Sequence, residues 1–187
     1  WGVGPWGTLV HYDGSKWTKL DFDTQGHFMG VTGDKETGTA YAVLSRFHSY
    51  YTDIIKLDGS GWEEVLDGDT AGVNSYTVEK GPGDDLYLGG SGRIWTFNIK
   101  TKKIQNKWPL PDWQSVLTQS IYSDKDMYFF GDDLNNGKMS HYNGKRLTTF
   151  TLSKNPVNYG GSHAINNLAV YAGYADNKAF IIFIKRR

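Results

Sequence analysis

Polar and apolar residues alternate along this chain in short runs, and each run closes on glycine, aspartate or asparagine. A period of two puts successive side chains on opposite faces of a β-strand. No segment long enough for a helix of about 11 residues keeps apolar positions at 3.6-residue spacing without a Gly or Pro interrupting it. The strands group in fours, lettered a to d. One group is predicted near 28–32, 39–44, 53–57 and 62–66; the next spans 73–79, 85–89, 93–98 and 103–107. A third runs 115–122, 126–131, 138–142 and 147–152.

The groups recur. HYDGSKW at 11–17 returns in altered form as KLDGSGW at 56–62 and HYNGKRL at 141–147. The corner residues Asp13, Asp58, Asn98 and Asn143 follow one another at 45, 40 and 45 positions. The aromatic strand residues Trp1, Tyr41, Tyr87, Tyr128 and Tyr171 give an independent spacing of 40, 46, 41 and 43. A repeat of about 43 residues built from short strands predicts an all-β propeller with four-stranded antiparallel blades. The units fall at 1–25, 26–69, 70–110, 111–155 and 156–187, one propeller domain or propeller fragment. The first shows strands b, c and d and the last shows a, b and c, about 4.5 blades in all. Such a count fits a five-bladed ring with thin ends or part of a larger ring. The abrupt opening at Trp1, without an initiator Met, favours the C-terminal part of a larger propeller.

Within each unit the Asp-Gly corner reads as the two-residue turn of a c–d hairpin, since both central positions need positive φ. Tyr12 and Trp17, on either side of it, are expected to pack on the next blade.

Composition narrows the function. Twenty acidic residues balance twenty basic ones among the 187, which leaves no net field for nucleic acid or an anionic membrane. The absence of cysteine removes disulfides, thiolate metal sites and cysteine nucleophiles. Seven Trp, twelve Tyr and nine Phe beside 23 Gly suit blades packed by aromatics and joined by turns. No apolar run approaches the length of about 18 residues that a membrane helix needs.

The series WGVGPWGTLVHYDGSKW, HFMGVTGDKETGTAYAVL and IIKLDGSGW resembles the blades of bacterial secreted or periplasmic propeller repeat proteins, and NKAFIIFIKRR resembles their last strand. The likeness spans essentially the whole chain. It implies an extracellular or periplasmic location and leaves the chemistry open, because such propellers serve as sensors, scaffolds and binding modules. The third unit departs from it, with FNIKT at 97–101 in place of the Asp-Gly corner, and the fourth carries Leu147 where Trp is usual.

Catalytic signatures are missing from the sequence. There is no G-x-S-x-G elbow, and the glycines at 89–92 join two strands instead of opening a helix, so they do not form a phosphate loop. His11 and His141 share one repeat position, which points to packing; no histidine pair has metal-ligand spacing. Asp132, Asp133 and Asn135 offer oxygens suited to calcium, in a loop where Asp, Asn and Gly are also the expected turn residues.

Two features point to binding. The b–c loop SRFHSYYT at 45–52 carries Arg46, Phe47, His48, Tyr50 and Tyr51, residue types that dominate binding hot spots. The segments entering each strand a bring His27, Asn74, Tyr76, Trp113, Gln114, Tyr159 and His163 to the same end and to the channel mouth. The expectation is a non-catalytic exported module that binds a protein or glycan through one loop face, with further blades or a partner chain at the terminal blades. The alternatives are a sugar hydrolase or lyase at the channel mouth, for which Glu79 and Asp124 are the few acids near inner strands, or a purely structural part of a sensor or surface assembly.

Overall fold

The computed structural model describes residues 1–22, 26–58, 61–110, 115–155, 157–165, 168–175 and 177–185. Among them are eighteen strands in five antiparallel sheets, each sheet built from strands consecutive in sequence. The first holds β1 (Gly2–Val3), β2 (Leu9–Tyr12) and β3 (Trp17–Leu20). The second holds β4 (Gly26–Gly33), β5 (Ala40–Arg46), β6 (Thr52–Asp58) and β7 (Gly61–Leu66). A single helical turn, α1 (Gly68–Ala71), leads to the third sheet. That sheet is β8 (Ser75–Lys80), β9 (Asp85–Gly90), β10 (Arg93–Asn98) and β11 (Lys103–Pro109). The fourth is β12 (Ser115–Ser123), β13 (Asp126–Asp132), β14 (Gly137–Tyr142) and β15 (Leu147–Ser153). The fifth is β16 (Asn158–Ile165), β17 (Leu168–Ala175) and β18 (Lys178–Lys185). This is a β-propeller of five blades, three of them four-stranded and the terminal two three-stranded. Among the described residues no helix is long and apolar enough to cross a membrane.

The blades pack face to face through strands that are apolar on both sides. In β5, Tyr41 and Val43 point to the third blade, while Ala40, Ala42 and Leu44 point to the first. In β9, Leu86 and Leu88 meet the second blade and Tyr87 meets the fourth. In β13, Met127 and Phe129 meet the third blade and Tyr128 and Phe130 meet the fifth. Four clusters, one per seam, therefore form the core. Burying each Leu, Ile or Phe in them stabilises the fold by about 1.5–3 kcal/mol. The inner strands β4, β8, β12 and β16 lie beside one another in that order.

The outer faces of the terminal blades have no such partner among the described residues. In the register of the fifth sheet, Val170 lies opposite Phe183 and Ala172 opposite Ile181, at the positions that Tyr128, His141, Phe130 and Met139 fill in the fourth. Ile181 and Phe183 are 61% and 67% exposed. On the first sheet, the Tyr12 and Trp17 rings meet at a tilt, 5.2 Å apart, and remain exposed, so they do not pack on the next blade as the sequence suggests.

The repeated corner also differs in detail. Between β2 and β3 the loop has four residues. The Asp13 carboxylate accepts from the backbone N–H groups of Ser15 and Lys16, at 2.8 and 3.0 Å, and only Gly14 takes a left-handed φ, of 100°. Asn143 does the same for Lys145 and Arg146. A side-chain oxygen that mimics a backbone acceptor stabilises this wider turn. Those amide bonds pull the Asp13 pKa down to about 2.

Phe129→Ala, in the seam between the third and fourth blades, is expected to cost about 3–5 kcal/mol. Phe183→Ala, on the open face of the fifth, should stay within about 0.5 kcal/mol. Urea unfolding of the two variants measures the difference, and similar losses would contradict the stated packing.

Candidate functional site

At one end of the propeller the b–c loops emerge beside the segments that enter the inner strands. The first such loop, at 4–8, turns back through Trp6 and Gly7, both in left-handed conformations with φ of 57° and 67°. The Trp6 backbone N–H donates to His27 Nδ1 at 3.1 Å, which makes that nitrogen an acceptor and leaves any single ring proton on Nε2. The Trp6, His27 and Phe47 rings then pack mutually, with centroids 4.8–5.2 Å apart. Trp6 is nevertheless 74% exposed, on a backbone held by the Gly7 N–H to Gly26 carbonyl bond.

The second loop, at 47–51, is anchored below its aromatics. Ser49 Oγ accepts from the Tyr51 N–H at 2.9 Å and donates to Asp69 Oδ1 at 2.6 Å, which ties the loop to α1. Asp67 caps that turn by accepting from the Asp69 and Thr70 N–H groups, and Gly72 closes it with φ of 67°. The turn sits so close to β6 that a Cβ on Gly68 would lie 2.1 Å from the Thr52 carbonyl oxygen. The Gly68 N–H donates to Asp53 Oδ1. Arg46, expected as a ligand contact, is the last residue of β5 and pairs with Asp53 and Glu64. The Asp53 hydrogen bond, set against a smaller effect of burial, raises the Arg46 pKa. Its charge is committed to holding the loop base.

Beyond this base a groove of about 200 Å³ opens between the second and third blades, lined by Tyr50, Tyr51, Gly72, Asn74, Ser91, Arg93 and Trp95. Tyr50 is 70% exposed and meets Tyr51 edge to face at 5.5 Å. The Arg93 guanidinium lies 5.8 Å from the Trp95 ring centroid. Tyr76 Oη and Ser91 Oγ share a hydrogen bond of 2.8 Å. Gly90 permits the close approach of the two segments, since a Cβ there would sit 1.8 Å from the Asn74 carbonyl oxygen.

The structure thus brings His27 and Phe47 together in one cluster, and Tyr50, Tyr51 and Asn74 in the adjoining groove, with Tyr76 behind it. His48 is exposed in the same loop. Trp113 and Gln114 lie outside the described residues, as does the side chain of Tyr159 in β16. His163 stands apart, on the outward face of the fifth sheet opposite Val170. Trp6, Ser91 and Arg93 join the site without having been anticipated. Trp6 follows Pro5 in a loop, a turn signal that could have flagged it; Ser91 and Arg93 flank a glycine corner weighed only for phosphate.

The other candidates have structural roles. Asp133 accepts from the Asn135 and Asn136 N–H groups and pairs with Lys138 at 3.0 Å. Burial opposes its ionisation, but those partners outweigh it and draw its pKa to about 2. Asp132 accepts from Ser115 Oγ. Among the described residues no group of three or more His, Asp or Glu could hold a metal. His11 packs on Trp1, tilted by 30°, and His141 stacks on Tyr128, both with ring centroids 4.3 Å apart, an equivalent repeat contact in two blades.

At the opposite end, a cleft of about 680 Å³ is lined by residues of both signs, including Asp34, Lys35, Glu36, Glu79, Asp84 and Lys100. Lys100 and Asp84 pair at 3.0 Å. Glu79, in β8 and opposite Tyr87, has its carboxyl pKa pushed up to about 7 by burial.

No protein-family model matches the chain, and no curated protein sequence matches it. Its fold matches solved propellers. The chain is 14% identical to a chain of a nidogen/laminin complex, covering 92% of this chain and 65% of that one, with a TM-score of 0.70. It is 11% identical to YCF48 bound to D1 peptide, covering 97% and 59% at a TM-score of 0.63. Against U3-55K the identity is 11%, the coverage 86% and 50%, and the TM-score 0.64. At these identities the likeness shows the fold alone. The chain spans about half to two thirds of the length of each of these chains.

A carboxyl whose pKa rises from 4.5 to about 7 on folding binds its proton more tightly in the native state. Its contribution is greatest below pH 4.5 and is lost as pH rises through 7. Glu79→Gln is therefore expected to stabilise the protein at pH 8 by on the order of 2–3 kcal/mol and to have little effect at pH 4. Thermal or urea unfolding at the two pH values reads this; a pH-independent difference would mean that folding does not shift the Glu79 pKa.

Proposed function

We propose that the chain is an exported, non-catalytic propeller module that holds a polypeptide partner across the loop end of its first three blades. The observation that carries this reading is a set of exposed aromatics on pinned backbone. Trp6, Phe47 and Tyr50 are all exposed, while the loops beneath them are tied to His27, Gly26 and Asp69. Aromatics presented rigidly lose little conformational freedom on binding, which is how hot-spot residues gain affinity.

A polypeptide is favoured over a glycan by the state of the nearby acids. Sugar hydroxyls are usually held by free carboxylates beside an aromatic platform. Here Asp53 and Glu64 pair with Arg46, Asp67 caps α1, and Asp69 accepts from Ser49. Two of the solved neighbours are, by their descriptions, a complex of nidogen with laminin and YCF48 with a D1 peptide, which supports a protein-binding use of the fold. The likeness of the repeat to secreted propeller repeats supports export.

Panning a random peptide display library on the chain should enrich peptides that bind in the micromolar range. Trp6→Ala or Tyr50→Ala is expected to weaken them about tenfold or more, near 1.4 kcal/mol. Undiminished binding by both variants would move the site elsewhere. Retention on a glycan array with no enriched peptide, or turnover of a saccharide, would overturn the reading.

A further inference from the structure

We propose that the groove between the second and third blades is a carboxylate pocket, one that receives an acidic group of the polypeptide held at the loop end. The inference rests on that reading of the loop end and specifies its chemistry. Three observations converge on it.

The first is charge. Of the groove-lining residues only Arg93 is charged, and among the described residues it has no ion-pair partner. This contrasts with Arg46 one loop away, which is committed to Asp53 and Glu64. The Trp95 ring face holds the Arg93 guanidinium without neutralising it, because a cation–π contact engages the ring quadrupole and leaves the N–H donors free.

The second is an unmatched amide. Asn74 is 7% exposed and lines the groove, yet its side chain makes no hydrogen bond among the described residues. Its amide atoms keep access to the groove, so they are free to bond a ligand atom there. Its backbone is fixed, with the Asn74 carbonyl accepting from the Ser91 N–H at 3.3 Å and Gly90 closing underneath.

The third is the remaining lining. Ser91 Oγ can accept from Tyr76 and turn its own proton into the groove. The Tyr50 and Tyr51 rings wall the opening. Arg93, Asn74 and Ser91 thus supply donors, and no acid competes for them. A volume of about 200 Å³ admits an aspartate or glutamate side chain, or a chain terminus, and is too small for a folded partner. A guanidinium fork with neighbouring neutral donors suits the planar two-oxygen geometry of a carboxylate.

The test is an NMR titration of the isotope-labelled full chain with three small probes. N-acetylglutamate α-amide offers a side-chain carboxylate, N-acetylglycylglycine a terminal one, and N-acetylglutamine amide is the neutral isostere. Saturable shifts at Arg93 Nε–H, the Asn74 side-chain amide and the Trp95 indole are expected for one or both acids and not for the isostere. The stronger acid identifies which source of carboxylate the pocket prefers. Arg93→Gln should weaken the response about tenfold or more, and Arg93→Lys should recover part of it.

Equal shifts with the glutamine probe, persistence in Arg93→Gln, or a stronger response to inorganic phosphate would overturn the proposal. Its failure is separable from that of the loop-end reading. Displayed peptides that lack acidic residues and still depend on Trp6 and Tyr50 would leave the module standing and remove the carboxylate pocket. Carboxylate titration at Arg93 with no peptide captured would do the reverse.

Discussion

A flat blade has two faces, and one that lies between two others must present apolar side chains on both. That requirement governs this molecule. β5, β9 and β13 are apolar on both sides because each lies between two neighbours, and the four seams that result make up the core. The loops of the candidate site join the ends of strands in these sheets. Arg46 closes β5, Thr52 opens β6, and Arg93 opens β10, so the loop positions follow from strands whose side chains fill close-packed seams.

The repeat was legible because alternation and turn chemistry are local properties. The spacing of Tyr41, Tyr87 and Tyr128 located three equivalent strands, and the structure gives those tyrosines the same orientation, toward the following blade. The shared contact of His11 and His141 was legible in the same way. Tyr171 broke the pattern by turning toward the preceding blade, while Val170 takes the place of Tyr128. Periodicity in sequence counts residues; it does not report the single-residue offset that decides which face a side chain occupies.

The candidate site was only half legible, for a related reason. Loop aromatics such as Phe47 and Tyr50 stand out by composition. Arg46 stood out too, but its commitment to Asp53 and Glu64 depends on positions 7 and 18 residues away, which no local pattern reveals. Ser91 and Arg93 looked like an ordinary corner until the neighbouring blade's loop was placed against them. A groove between blades belongs to neither repeat alone, and a reading made repeat by repeat passes over it.

The number of seams per blade bears on how firmly each blade is held. In an array where each unit touches only its neighbours, cohesion is a sum over seams, and a terminal unit has one seam where an interior unit has two. Among the described residues the first and fifth sheets have one seam each, and the other three have two. The groove spans the second and third sheets, both of which have a neighbour on each side. Each wall of the groove is therefore held from both sides, and its position is set by two seams instead of one.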